Sequence, residues 1–252
     1  MVHIVGAGPG DPDLITVKGK KFLQEADIVI YAGSLVNPEL LKFCKPNAEI
    51  FNSAKMTLRE VIQTIERAES EKKNTVRLHT GDPAIYGAIQ EQMTELEKRK
   101  ISFDITPGVS SFLATAAVLK QEYTLPGISQ TVIITRRAGR TPVPERESLK
   151  KLAEHQATMC IFLSVAEISE VTEDLIKGGF EKETPVAIVQ KATWGDEKIL
   201  RGTLETIAQK VKEEKIDRTA MIVVGNCLSA QDYEKSKLYS PNFSHMFRQA
   251  TE

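Results

Sequence analysis

Three apolar runs in the first half of the chain end abruptly in a turn rich in glycine or proline and then lead into a helical pattern. Val2 to Val5 runs into Gly6-Ala-Gly-Pro-Gly-Asp11, Thr75 to Thr80 into Gly81-Asp-Pro-Ala-Ile-Tyr-Gly87, and Phe103 to Ile105 into Thr106-Pro-Gly-Val-Ser-Ser111. A strand that turns at once into a helix builds a parallel α/β sheet, because the helix is the crossover to the next strand. Such corners aim free backbone N–H groups beyond the carboxyl ends of the strands, where open α/β sheets bind ligands. At the middle corner Asp82 suits an N-cap and Pro83 a first helical position. Ile85, Ile89, Met93 and Leu96 repeat at helical spacing, so a helix is expected from Pro83 onward. Whether Asp82 is only a cap or also touches a ligand stays open at this point.

The N-terminal corner invites comparison with a dinucleotide fingerprint, and the spacing fails. Gly6 and Gly8 fit Gly-x-Gly, but Asp11 stands where the third glycine is needed. The next strand, Asp27 to Tyr31, runs into Ala-Gly-Ser-Leu with no acidic residue to hold a ribose. A nicotinamide or flavin cofactor is therefore not expected.

Further along, 16–25 reads as a helix, and Thr57-Leu-Arg-Glu60 is a capping box ahead of the apolar stripe Val61, Ile62 and Ile65. The helix expected over 110–119 is small on nearly every face, which suits either tight packing on a sheet or a ligand lying close. The pattern breaks at Leu125-Pro-Gly127. Strands are then expected at 130–135, 158–164, 185–190, 198–202 (an edge strand) and 220–224 (a central one), with a helix over 166–177. The fold class is α/β, with an N-terminal α/β domain over 1–124, a C-terminal α/β domain over 128–228 and a tail over 229–252. Arg136, Arg137, Arg140 and Arg146 crowd the loop after the 130–135 strand, with no acid before Glu145. By default this is a solvated charge run. The same composition also suits a grip on several carboxylates.

Charge closes off some classes of function. Lys+Arg 33 against Asp+Glu 34 leaves no basic field for nucleic acid or an anionic membrane. Cys44, Cys160 and Cys227 are widely spaced and odd in number, so neither a disulfide framework nor a metal site is expected. No apolar run is long enough to span a bilayer, and the N-terminus begins as a strand, so the expected location is cytoplasmic. His79 sits near the middle corner, but a lone histidine at a strand end is by default structural, and no residue stands out as a general base.

Taken in order, Gly6 to Thr16, His79 to Gly87, Thr106 to Ser111 and Pro185 to Gln190 resemble the motif series of the tetrapyrrole methylases, across nearly the whole chain. Tyr31-Ala-Gly-Ser-Leu-Val36, Arg137 to Glu145 and the tail stretch Lys237 to His245 resemble the branch that methylates C11 of precorrin-4 in cobalamin synthesis. The resemblance implies two α/β domains with S-adenosylmethionine in the cleft between them, a tetrapyrrole substrate and a homodimer. It implies cofactor contacts at Pro9, Gly81, Asp82, Pro83, Ile85, Tyr86, Ser110 and Ser111, and at Leu163, Ala187, Ala192, Ala220 and Met221. Tyr31, Ser34, Lys55, Met56, Arg136, Arg137 and Arg140 are candidates for the substrate trough. Relatives that methylate uroporphyrinogen carry an aspartate where this chain has Gly33, so a base there does not carry over. Related methylases that act on other acceptors, and a binding module without turnover, are the alternatives.

Overall fold

In the computed structural model, which describes residues 1–251, the first half of the chain builds a parallel sheet from β1 (Val2–Gly6), β2 (Ile28–Tyr31), β3 (Glu49–Asn52), β4 (Thr75–His79) and β5 (Phe103–Thr106). Their order is β3-β2-β4-β1-β5, and every pair is parallel. Helices α1 (Val17–Glu25), α2 (Leu58–Ser70) and α3 (Gln90–Lys98) lie in the connections between them, and α4 (Ser111–Leu119) follows β5. Alternate residues of each strand face opposite sides of the sheet. Ile4, Ile28 and Ile30 therefore pack with Val61, Ile62 and Ile65 of α2 and Leu96 of α3. Val5, Val29, Val76 and Leu78 pack with Leu23 of α1, Val36 and Leu40 on the other side. The Thr57 capping box forms: Glu60 N–H donates to Thr57 Oγ1 at 3.3 Å and Thr57 N–H to Glu60 Oε2 at 2.7 Å.

The middle corner differs from expectation. Residues 83–86 are a turn, 87–89 are irregular, and α3 begins only at Gln90. Tyr86 and Ala88 hold φ of 55° and 51°, in the left-handed region that interrupts a helix. Ile89 and Leu96 still reach the core as the spacing required.

The second half builds a mixed sheet from β6 (Val132–Arg136), β7 (Thr158–Phe162), β8 (Pro185–Gln190), β9 (Lys198–Thr203) and β10 (Ala220–Val224). Its order is β6-β7-β10-β8-β9; β6 and β7 are parallel, and β10 is antiparallel to β7 and to β8. Helices α5 (Leu149–Ala153), α6 (Ile168–Lys177) and α7 (Ile207–Glu213) cover one face over a core of Met159, Ile161, Val186, Ile188, Ile222 and Val224. As expected, β10 is central and β9 lies at the edge.

The chain packs as two units. The first comprises Met1–Val118 and the excursion Lys191–Lys198 between β8 and β9, and the second comprises Leu119–Gln190 and the chain from Ile199 onward. Among the described residues no helix is long and apolar enough to cross a membrane, and no group of three or more His, Cys, Asp or Glu side chains is placed to hold a metal ion.

Candidate functional site

Strand order locates the corner with the special topology. From β1 the chain crosses over β4 to reach β2, whereas from β4 it crosses over β1 to reach β5. Neighbouring strands whose connections leave in opposite directions define the topological switch point, where α/β sheets hold ligands. Here the loops after β1 and β4 are stitched together at that point. Ala7 N–H donates to His79 O at 2.7 Å, Gly8 N–H to Gly81 O at 3.3 Å and Gly81 N–H to Gly8 O at 2.8 Å.

The third corner joins them through glycine. A Cβ on Gly6 would lie 2.6 Å from Gly108 N and 2.7 Å from Gly81 O, and one on Gly108 would lie 2.2 Å from Gly81 O. Only hydrogen fits at either position. Gly81 itself has φ of 58°, which glycine adopts without steric cost, and its missing Cβ would meet Ser110 Cα at 3.6 Å and Ser111 N at 3.7 Å. Asp82 completes the junction: Oδ1 accepts the Ala84 N–H at 2.8 Å and Oδ2 accepts the Gly108 N–H at 3.0 Å. Its carboxylate is thus a staple between two corners as well as a turn cap. Asp11, the residue that spoils the dinucleotide spacing, accepts the Asp13 N–H at 2.9 Å and caps the short helical turn Pro12–Leu14.

One residue with a role at this junction gave no local signal in the sequence. Trp194, on the excursion, donates from Nε1 to Pro9 O at 2.9 Å and lies against Gly10, where a Cβ would come within 2.1 Å of its ring. Thr193 Oγ1 accepts the Asp11 N–H at 3.0 Å, and Asn37 Nδ2 donates to Gly10 O at 2.8 Å. The glycine-rich loop is held from both sides.

Within residues 1–118 the expected site residues lie at or after the carboxyl ends of the strands. Pro9 follows β1; Tyr31 ends β2 and Ser34 follows it; Lys55 and Met56 follow β3; Gly81 to Tyr86 follow β4; Ser110 and Ser111 follow β5. Pro9, Pro83 and Ser110 are buried, Ile85 and Met56 half-buried, and Tyr86, Ser34 and Lys55 exposed. At Gly33 an added Cβ would fall 2.3 Å from the side-chain amide of Asn52, which occupies the space a longer residue would need.

In the second unit Leu163 follows β7 and is 70% exposed with φ of 55°, while Ala220 and Met221 begin β10 at the same end of the sheet. Ala187 lies inside β8, fully buried opposite Val223. Ala192 lies on the excursion and is buried within the first unit. The arginines of the loop after β6 divide by partner. Arg136 donates to the carbonyls of Arg137, Thr141 and Pro142. Arg137 pairs with Glu167 and Asp174, each at 2.9 Å. Arg140 is exposed, with no side-chain partner among the described residues.

The donor set suits a sulfonium cofactor. The expected contacts offer backbone groups, two serine hydroxyls, the Asp82 carboxylate, the Tyr86 phenol and otherwise small or apolar side chains, and none is a lysine or arginine that would repel a cation. Glycine at the junction lets a ligand approach the backbone closely.

Comparison with known proteins agrees with this arrangement. The family model described as Tetrapyrrole (Corrin/Porphyrin) Methylases matches residues 1–208. A cobalt-precorrin-4 C(11)-methyltransferase of Methanocaldococcus jannaschii is 59% identical over 249 residues, covering 99% of this chain and 96% of that protein. The X-ray structure of a cobalt precorrin-4 methyltransferase superposes with a TM-score of 0.89 at 48% identity, covering 91% of this chain and 96% of the other. A uroporphyrin-III C-methyltransferase of Thermus thermophilus, solved with S-adenosylhomocysteine, superposes with a TM-score of 0.75 at 25% identity, covering 90% and 93%. With the stitched switch point, the glycine junction and a family match over most of its length, this chain belongs to the tetrapyrrole methylases.

Proposed function

We propose that this protein is an S-adenosylmethionine-dependent C-methyltransferase that methylates C11 of cobalt-precorrin-4 to give cobalt-precorrin-5, in cobalamin synthesis. The observation that carries this reading is the end-to-end likeness to the Methanocaldococcus jannaschii enzyme, at 59% identity over 99% of the chain.

The bound cofactor supplies a methyl group already activated by its sulfonium. The chain's own task is then alignment and exclusion of water, since an enamine-like ring carbon is nucleophilic without a covalent enzyme intermediate. In this reading Pro9, Gly81 to Pro83, Ile85, Tyr86, Ser110, Ser111 and Ala192 hold the cofactor from the first unit. Leu163, Ala187, Ala220 and Met221 are the second unit's contribution. The Asp82 staple and the Trp194 anchor keep those backbone positions fixed before the cofactor arrives. Tyr31, Ser34, Lys55 and Met56 line the substrate trough. Of the three candidate arginines, Arg140 is the one whose guanidinium has no partner among the described residues and can meet a substrate carboxylate; Arg136 and Arg137 fix the shape of its loop. The same resemblance carries a homodimer, and a cytoplasmic location is proposed beside it. Light scattering tests the first, against twice the 28.0 kDa chain mass.

The deciding experiment is an anaerobic incubation with methyl-labelled S-adenosylmethionine and either cobalt-precorrin-4 or metal-free precorrin-4, with the new methyl located by NMR. Label at C11 is expected, and the faster substrate identifies the metal preference. Tight binding of S-adenosylhomocysteine with label on neither tetrapyrrole would discard the acceptor and keep the cofactor.

A further inference from the structure

Arg77 and His79, two residues apart on β4, project from the same face of the first sheet. Arg77 is paired in register with Ile4 and Ile30, whose side chains face α2 and α3. Both residues are buried, at 7% and 4% exposure. Arg77 Nε donates to Gln92 Oε1 at 2.9 Å, and Nη1 donates to Ile30 O at 3.1 Å and Leu78 O at 3.4 Å. Every one of these acceptors is neutral, and no carboxylate among the described residues pairs with this guanidinium. An interior cation without a counter-charge is costly, and burial draws the Arg77 pKa down to about 10.

His79 is as unusual. Its imidazole makes no side-chain hydrogen bond with any described residue, and Nε2 is wholly shielded from solvent. Buried polar groups are almost always paired, so a bare imidazole nitrogen needs an explanation. Burial, with a push from the Arg77 charge, lowers the His79 pKa to about 3. The ring is therefore neutral at physiological pH, with one donor and one acceptor nitrogen. A neutral imidazole keeps one N–H that it can donate. His79 is the last residue of β4, directly before the Thr80–Gly81 turn at the sheet's carboxyl edge, and Arg77 lies two residues inside the strand. A neutral N–H donor beside an uncompensated guanidinium suits one ligand chemistry above others, a carboxylate.

We propose that Arg77 and His79 form a carboxylate subsite, in which the His79 imidazole donates a hydrogen bond to one side-chain carboxylate of the substrate and Arg77 supplies the balancing charge. The inference rests on the methyltransferase reading above, since the acetate and propionate groups of a tetrapyrrole are the carboxylates on offer. It assigns to the first unit a grip that the sequence pattern suggested only for the arginine loop of the second.

Two measurements test it. In His79→Leu the KM for cobalt-precorrin-4 is expected to rise about tenfold, the loss of one hydrogen bond to a charged group, with kcat changed by less than about twofold. S-adenosylhomocysteine affinity and melting temperature should hold, and His79→Gln, which keeps an N–H donor, should recover part of the loss. In wild type labelled with 15N-histidine, saturation with diamagnetic metal-free precorrin-4 should move the His79 ring resonances, assigned through His79→Gln, whereas S-adenosylhomocysteine alone should not. A silent His79 resonance in substrate-saturated enzyme, or an unchanged KM in a folded His79→Leu, overturns the subsite and leaves the methyltransferase reading standing. Wild type that neither binds nor methylates either tetrapyrrole overturns both.

Discussion

The Gly108 N–H donates to Asp82 Oδ2 at 3.0 Å, tying the corner after β5 to the corner after β4 across 26 residues of sequence. The other carboxylate oxygen caps its own turn through Ala84 N–H. Asp82→Ala strands both donors, and the expected cost is about 1–3 kcal/mol in urea unfolding. S-adenosylhomocysteine affinity should fall with it, because Gly81 and Ser110 are no longer locked together. Unchanged stability together with unchanged affinity would show that the staple does neither.

Gly108→Ala is expected to be far more damaging. Its Cβ would lie 2.2 Å from Gly81 O and 2.9 Å from Gly6 Cα, so backbone must move at two corners at once. A loss of about 3 kcal/mol or more is expected, seen as a large drop in melting temperature or as insoluble protein. Gly195→Ala is the control, since nothing lies within 4 Å of the added carbon; equal damage from both would refute the packing account.

For Trp194→Phe the ring volume is largely kept and the bond to Pro9 O is lost. About 0.5–1.5 kcal/mol of stability should go with it. Hydrogen exchange should quicken at Asp11, whose N–H is held by neighbouring Thr193. Exchange there at the wild-type rate would mean that the glycine-rich loop does not depend on this anchor.

Arg137→Ala and Arg140→Ala should separate structure from binding. Arg137 joins Glu167 and Asp174, so its loss is expected to lower melting temperature. Arg140 has no such partners, and its loss is expected to raise the KM for the tetrapyrrole at constant melting temperature. The opposite pattern would reassign the loop.

Burial of neutral His79 has a signature in acid. The unfolded chain takes up a proton near pH 6.5, and the folded chain only near 3. Between those values the unfolded state binds more protons, so the stability contributed above pH 6.5 is lost as pH falls toward 3. The slope approaches about 1.4 kcal/mol per pH unit for one such group. Urea unfolding from pH 7.5 to 4.5 should show a shallower decline in His79→Gln than in wild type; parallel declines would mean that His79 is not held neutral.

The corners and most of the strands were legible because their signals are local: an apolar run, a glycine, a cap. Asp82 could be read as a cap from its neighbours, but its second bond depends on Gly108, which no local pattern reports. The helix expected from Pro83 failed because periodicity places Ile85 and Ile89 correctly without registering the positive φ at Tyr86 and Ala88. Trp194 was silent for a stronger reason, since its acceptor Pro9 lies 185 residues away. The arginine loop read as one charge run, although Arg136 spends its donors on the loop's own carbonyls and Arg137 on acids from α6 and the turn before it. Composition cannot separate these uses.

The excursion at Lys191–Lys198 also sets an order of events during synthesis. The first unit starts at the N-terminus, yet its glycine-rich loop has no Trp194 to rest on until most of the second half has left the ribosome. Domains tend to fold as they emerge, but this one must wait as an unfinished body for a piece encoded near residue 194. A gene cut after Val118 would therefore not deliver the first unit as a shorter copy of itself. It would deliver a sheet whose glycine-rich loop lacks its latch, and grafting the eight-residue excursion back is what should restore it.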